Sequence, residues 1–224
     1  FHPLFIGGDP FHVTSMYALV SHLESAFGVH YAMGGAGAIA RAMAGLVEDL
    51  GGELRYRTEV DEVLIEEGRA AGVRTKGGEV IRAPVTVSNG DAGHTYERLL
   101  RNHPRRRWTD RRLGRSRWSM GLFVWHFGTR GTRGMWPGAG HHTILNGPRY
   151  EGLVRDIFIR GRLAEDMSVY LHRPSVTDPS VAPEGGDSFY ALVPVPHLGH
   201  DNGVDWEAEA EPFRRRLQGV LERE

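Results

Sequence analysis

Gly35, Gly37 and Ala40 in YAMGGAGAIARAMAGLVEDLGG fit the spacing G-x-G-x-x-A. In a dinucleotide-binding unit that spacing lets backbone N–H groups at a helix N-terminus cradle a pyrophosphate. Glu59 follows at about the distance of the acid that binds a ribose hydroxyl. The same residues also suit a close-packed, glycine-rich helix entry. VHYAM is short for the buried strand that a phosphate loop follows, so the helix entry is the expectation. Histidines raise a second possibility, since HLGH brings His197 and His200 close and His141 and His142 are adjacent. Without H-E-x-x-H, and with prolines opposing a helix around PVPHLG, no metal site is predicted. The chain has neither a G-x-S-x-G elbow nor a cysteine, which excludes the usual nucleophilic hydrolases and a thiolate-ligated zinc. The carboxylates of LAEDM and APEGGD read as loop residues, and no catalytic residue is assigned.

The elements that would position these residues follow from periodicity. TSMYALVSHLESAFG carries Met16, Leu19, Val20, Leu23 and Phe27 at helical spacing, with Thr14 or Ser15 as cap and Gly28 as stop. A second helix, about 37–50, aligns Ile39, Met43, Leu46, Val47 and Leu50 before Gly51-Gly52. The pattern then switches to period two. ELRYRTEV, DEVLIEE, AAGVRTK and EVIRAPVTVSN read as strands, separated after DEVLIEE by the turn signals EEGR and KGGE. A complete dinucleotide-binding unit would return through a helix to a parallel strand, whereas this meander turns back antiparallel. DAGHTYERLL reads as a short helix capped by Asp91, PRYEGLVRDIF as another. MGLFVWHFGT, HHTILNG, MSVYLHRP and DSFYALVPVP read as strands, and FRRRLQGVLERE as an amphipathic helix.

Composition narrows the class. With 25% charged residues and a net charge of −1, the 224-residue chain is neither disordered nor a general polyanion binder. No apolar run approaches the roughly 20 residues of a spanning helix. Eight arginines between 101 and 117 face one acid, Asp110. A solvated helical face is the default for such a run; as a functional alternative, with Trp108 and Trp118 beside the arginines, an anionic membrane surface suits better than nucleic acid. Phe1 in place of a start Met, and a helix pattern running to the last residue, read as an internal fragment.

Three stretches together resemble the bacterial-type phytoene desaturases, FAD-dependent carotenoid desaturases of the amine-oxidase-like flavoprotein superfamily. HPLFIGGDPF resembles a family segment that more often has Asn where Asp9 stands. GGAGAIARAMAGLVEDLGGELRYRTEV, with the meander as far as Asn89, has the superfamily's glycine pair, helix, Gly-Gly turn and strands. LAEDMSVYLHRPSVTDPSVAPEGGDSFYALVPVPHLG, preceded by GPRYEGLVRDIF, is the most specific. The family's N-terminal G-x-G-x-x-G strand and its C-terminal glycine-rich segment have no counterpart in the chain.

The resemblance implies a mixed α/β (α+β) chain: a partial FAD-binding, Rossmann-like module plus an antiparallel-sheet substrate module. Residues 1–30 would be a helical part of the substrate module and 31–90 part of the FAD-binding module. Residues 91–204 would bind substrate, and 205–224 would start a C-terminal helix. Val60, Asn89 and Gly90 would approach FAD. Phe123, Trp125, Tyr170, Phe189 and Tyr190 would line an apolar site for phytoene or a related polyene, which offers no polar handle. The implied reaction is dehydrogenation, with hydride passing from an allylic carbon to the flavin. The fragment alone would be inactive. A saturase, a ketolase-like relative and a non-enzymatic apolar-ligand or membrane module are the alternatives. The expected location is cytoplasmic and peripheral to the membrane, with no nucleic-acid partner.

Overall fold

The computed structural model describes residues 7–199 and 204–224. All of HPLFI and His200 of HLGH therefore lie outside the described residues. Along the chain run α1 (Ala18–Phe27), α2 (Ala36–Asp49), β1 (Val60–Glu66), β2 (Arg69–Thr75), β3 (Val80–Arg82), α3 (Ala92–His94) and α4 (Asp110–Leu113). They are followed by β4 (Gly121–Arg130), β5 (His142–Leu145), α5 (Tyr150–Phe158), β6 (Val169–His172), β7 (Gly186–Val195) and α6 (Trp206–Leu221). With two antiparallel sheets and helices, the fold is mixed α/β. The chain divides into two compact units: Phe1–Ala42 with Trp118–Glu224, and Met43–Arg117.

The smaller unit is built on the meander β1-β2-β3. Two of its predicted strands are shorter than their patterns. ELRYRTEV turns at Tyr56-Arg57, where Arg57 has a φ of 54°, so the strand begins only at Val60. EVIRAPVTVSN leaves the ladder after Arg82, just before Pro84, which has no N–H to donate. Gly72 has a φ of 135°, and a Cβ there would lie 2.1 Å from the Ile81 carbonyl oxygen. Only glycine fits that approach between β2 and β3. Asp91 caps α3 by accepting from the His94 N–H at 2.9 Å. The chain then returns to β1, where Arg101 donates to the Asp61 carbonyl at 2.7 Å and Asn102 to Glu62 at 3.0 Å.

In the larger unit the sheet order is β4-β7-β6-β5, all antiparallel. Helix α6, capped by Asp205, lays Phe213 and Leu217 on one sheet face against Val169, Ala191 and Val193. Burying side chains of this size gains about 1.5–3 kcal/mol each. A second cluster joins Leu153 and Ile157 of α5 to Met120 and Ala164. Helix α1 forms as its periodicity predicts, after Thr14 and before Gly28 at φ 77°. No residue of α1 or α2 is buried, however, and Leu19, Phe27, Met43 and Leu50 are all more than half exposed.

No strand leads into α2, and Gly34 and Gly35 both have left-handed backbone, at φ 84° and 75°. The Gly34 N–H donates to the carboxylate of Asp178. The glycine cluster is thus a helix entry whose anion is the chain's own side chain.

Candidate functional site

Strand alternation gives the four-stranded sheet two chemically different faces. On the α6 side, Phe123 lies 5.7 Å from Trp206 and 4.9 Å from Phe213, centroid to centroid. Trp125 stacks on Phe127 at 4.4 Å, and Phe127 on Phe189 at 5.1 Å with planes 8° apart. The Arg214 guanidinium sits 5.1 Å over Trp125. Beside this stack is a cavity of about 830 Å³, lined among others by Trp125, Phe127, Trp136, Leu145, Leu171 and Phe189.

The opposite face carries two adjoining rows set by the strand register. Val124, Leu192, Tyr170 and Ile144 pair across β4, β7, β6 and β5. The next row is His126, Tyr190, His172 and His142. Leu122, Val124 and Ile144 are 49%, 41% and 42% exposed, so this open face joins an apolar row to one of imidazoles and a phenol. The Tyr170 hydroxyl is 2.6 Å from Nδ1 of His142 and 3.3 Å from Nδ1 of His172. Burial, reinforced by neighbouring Tyr190, pushes the Tyr170 phenol up. Burial, with His141 and His142 nearby, lowers His172 to about 4, so its imidazole is neutral at physiological pH.

The five residues expected against the polyene therefore divide. Phe123, Trp125 and Phe189 lie on the α6 side, whereas Tyr170, itself only 8% exposed, and the half-buried Tyr190 lie on the opposite face. Phe189 and Tyr190 are neighbours in one strand and must point to opposite sides.

A buried ion pair braces the edge of the cavity. Arg173 meets Asp187 through two bonds, 3.1 and 2.9 Å, and Ser175 donates to the same carboxylate at 2.8 Å. A further Arg173 nitrogen donates to the carbonyls of Trp136 and Ala139, both at 3.2 Å, fixing the loop that forms one cavity wall. Burial pushes the Asp187 carboxyl up, but its bonds to Arg173 and Ser175 outweigh that and hold it below the usual carboxylate range. Nothing in the strand patterns signalled this pair, because its members lie 14 residues apart and meet only once β6 and β7 are in register.

In the smaller unit Val60 opens β1, an edge strand, where alternate backbone N–H and C=O groups point away from β2. Asn89 and Gly90 are exposed and lie outside any strand. Backbone contacts to a cofactor suit both places. The basic run is only partly available to a partner. Arg105 pairs with Asp110 and donates to the Trp108 carbonyl, and Trp108 stacks on Tyr96 under the Arg112 guanidinium. Arg106, Arg107, Arg111 and Arg115 are exposed.

No protein-family model matches the chain. Among curated proteins it is 68% identical over 222 residues to the neurosporene-forming phytoene desaturase of Cereibacter sphaeroides and 64% identical over 223 residues to that of Rhodobacter capsulatus. A lycopene-forming phytoene desaturase of a Paracoccus species is 42% identical. Each match covers 99% of this chain, which spans 43%, 43% and 44% of the three relatives' length. A solved Pyrococcus furiosus protein has a similar fold, with a TM-score of 0.55 and 22% identity over 83% of this chain and 40% of its own. Over nearly its whole length the chain is thus similar to bacterial phytoene desaturases, and it spans somewhat under half of their length.

Proposed function

We propose that the full-length protein carrying this segment is a flavin-dependent carotenoid desaturase, and that the polyene lies along the open face of the four-stranded sheet. The observation that carries this placement is the apolar row Val124, Leu192, Tyr170 and Ile144, part of it exposed, on a sheet whose other face is already covered by α6. Uncovered apolar side chains gain about 25 cal/mol per Å² when a hydrocarbon replaces water. A polyene has only that interaction and its shape to offer, so a flat apolar row positions it.

Desaturation removes a hydride and a proton from adjacent carbons. FAD, when bound, supplies the hydride acceptor. Val60 and the Asn89-Gly90 segment are the places in this chain where backbone groups would hold it. The sheet's task is to orient the hydrocarbon and keep water off it.

Product analysis of the purified full-length protein with phytoene tests the reading. Longer conjugated products and a flavin absorbance are expected. Saturated or oxygenated products would indicate a saturase or ketolase, and a colourless protein indifferent to FAD would indicate a non-enzymatic module.

The cavity beside Trp125 and Phe127 supports a second placement, because aromatic and aliphatic side chains line it. Val124→Asp charges the open face, whereas Leu171→Trp fills the cavity. The first is expected to abolish turnover with flavin retained, and the second to leave substrate binding largely intact. The opposite pattern moves the polyene to the cavity.

We also propose peripheral attachment at the cytoplasmic membrane face, where the substrate resides. The exposed Arg106, Arg107, Arg111 and Arg115 support it, each such residue contributing about 1 kcal/mol near an anionic surface. Glutamate at all four positions should abolish flotation with anionic vesicles. Unchanged flotation would remove the basic segment from the account.

A further inference from the structure

His141, His142 and His172 bring one ring nitrogen each within 4.8 Å of the other two. We infer that these three imidazoles form a binding site for a divalent first-row transition-metal ion, at the β5 edge of the open face. Tetrahedral coordination at about 2.1 Å needs nitrogens about 3.4 Å apart, so the rings must close by no more than about 1.4 Å.

Independent features agree. Nε2 of His141 is buried and has no hydrogen-bond partner, a condition that is destabilising unless something binds the lone pair or proton. Nδ1 of the same ring lies 2.6 Å from the Thr177 hydroxyl. If Nδ1–H donates there, Nε2 presents a lone pair. His142 and His172 share the Tyr170 hydroxyl through their Nδ1 atoms. Each ring thus has the outer hydrogen bond that orients a metal-binding imidazole.

The donor set selects the ion. Three imidazoles with no carboxylate in the group suit zinc, nickel, cobalt or copper, whereas magnesium and calcium require oxygen ligands. His142 is exposed, so a fourth position is open to water or an added ligand. The ion would tie β5 to β6 and to the segment bearing Thr177. The assignment of this site does not rest on the proposed desaturase activity, although it shares Tyr170 with the apolar row.

The test uses tag-free, full-length protein treated with chelator and titrated with Co²⁺, followed by its visible absorption and by competition with Zn²⁺. One ion per chain is expected, with tetrahedral cobalt bands and a raised melting temperature. His142→Ala and His172→Ala should each remove the bands, and Thr177→Val should weaken binding about 10–100-fold through loss of the outer hydrogen bond. His126→Ala, an imidazole in the same row outside the triad, should change nothing. Circular dichroism checks that each variant folds, and Tyr170→Phe provides a milder change with the ligands intact. Absence of stoichiometric binding, or binding unaltered in the folded His142→Ala/His172→Ala double variant, would overturn the assignment.

Discussion

Burying the Arg173 guanidinium beside the Asp187 carboxylate makes each depend on the other, their side chains being 6% and 2% exposed. Asp187→Ala strands the guanidinium and should cost about 3–5 kcal/mol in urea denaturation, while Arg173→Met/Asp187→Leu together should recover most of it. His172 links the open face to pH. In the unfolded chain its imidazole binds a proton below about 6.5, but in the fold it resists protonation down to about 4. The unfolded state therefore takes up more protons between these values, and stability falls as pH drops from about 6.5 toward 4. Metal-free protein should show a falling melting temperature over that window, and His172→Gln should flatten the fall. At this scale the sequence was legible within a strand but not across strands. Alternation alone separates Phe189 from Tyr190, whereas the alignment of Tyr190 with His126 and His172 depends on register. The union of Gly34 with Asp178, 144 residues away, was equally hidden.

Secondary structure was easier to read where capping or packing agreed with periodicity. Helix α6 matched its amphipathic pattern because Phe213 and Leu217 found the sheet. Phe213→Ala should cost about 3–5 kcal/mol, measured by chemical denaturation, since it removes a ring 2% exposed that packs on Phe123. Strands were overextended where one backbone feature outweighed β-rich composition: the turn at Tyr56-Arg57 before β1, and Pro84 after β3. Gly72 is the opposite case, a glycine whose importance shows only when β3 lies alongside. Gly72→Ala forces a methyl against the Ile81 carbonyl and should unpair β3, visible as faster amide exchange at Val80 to Arg82 while the four-stranded sheet keeps its protection.

For the molecule as a whole, the apolar stripes on α1 and α2 were legible, but what covers them was not. The 224-residue chain leaves Met16, Phe27, Met43 and Leu50 mostly exposed, and large exposed apolar patches promote association. Expressed alone, the chain should bind a hydrophobic dye strongly and self-associate, and the full-length protein should do so far less. The resemblance to phytoene desaturases was legible in motifs spread along the chain, but the division of the sheet into an apolar row and an imidazole row was not. That division makes strand pairing an indexing device. A one-residue slip of β6 against β7 would turn Val169 and Leu171 outward and send Tyr170 and His172 into the layer beneath α6. Neither the composition nor the secondary structure of the chain would change, yet the outward surface would lose two of its polar aromatic groups. The chemistry this face presents is encoded in an alignment between strands, and so it can be lost without replacing a single amino acid.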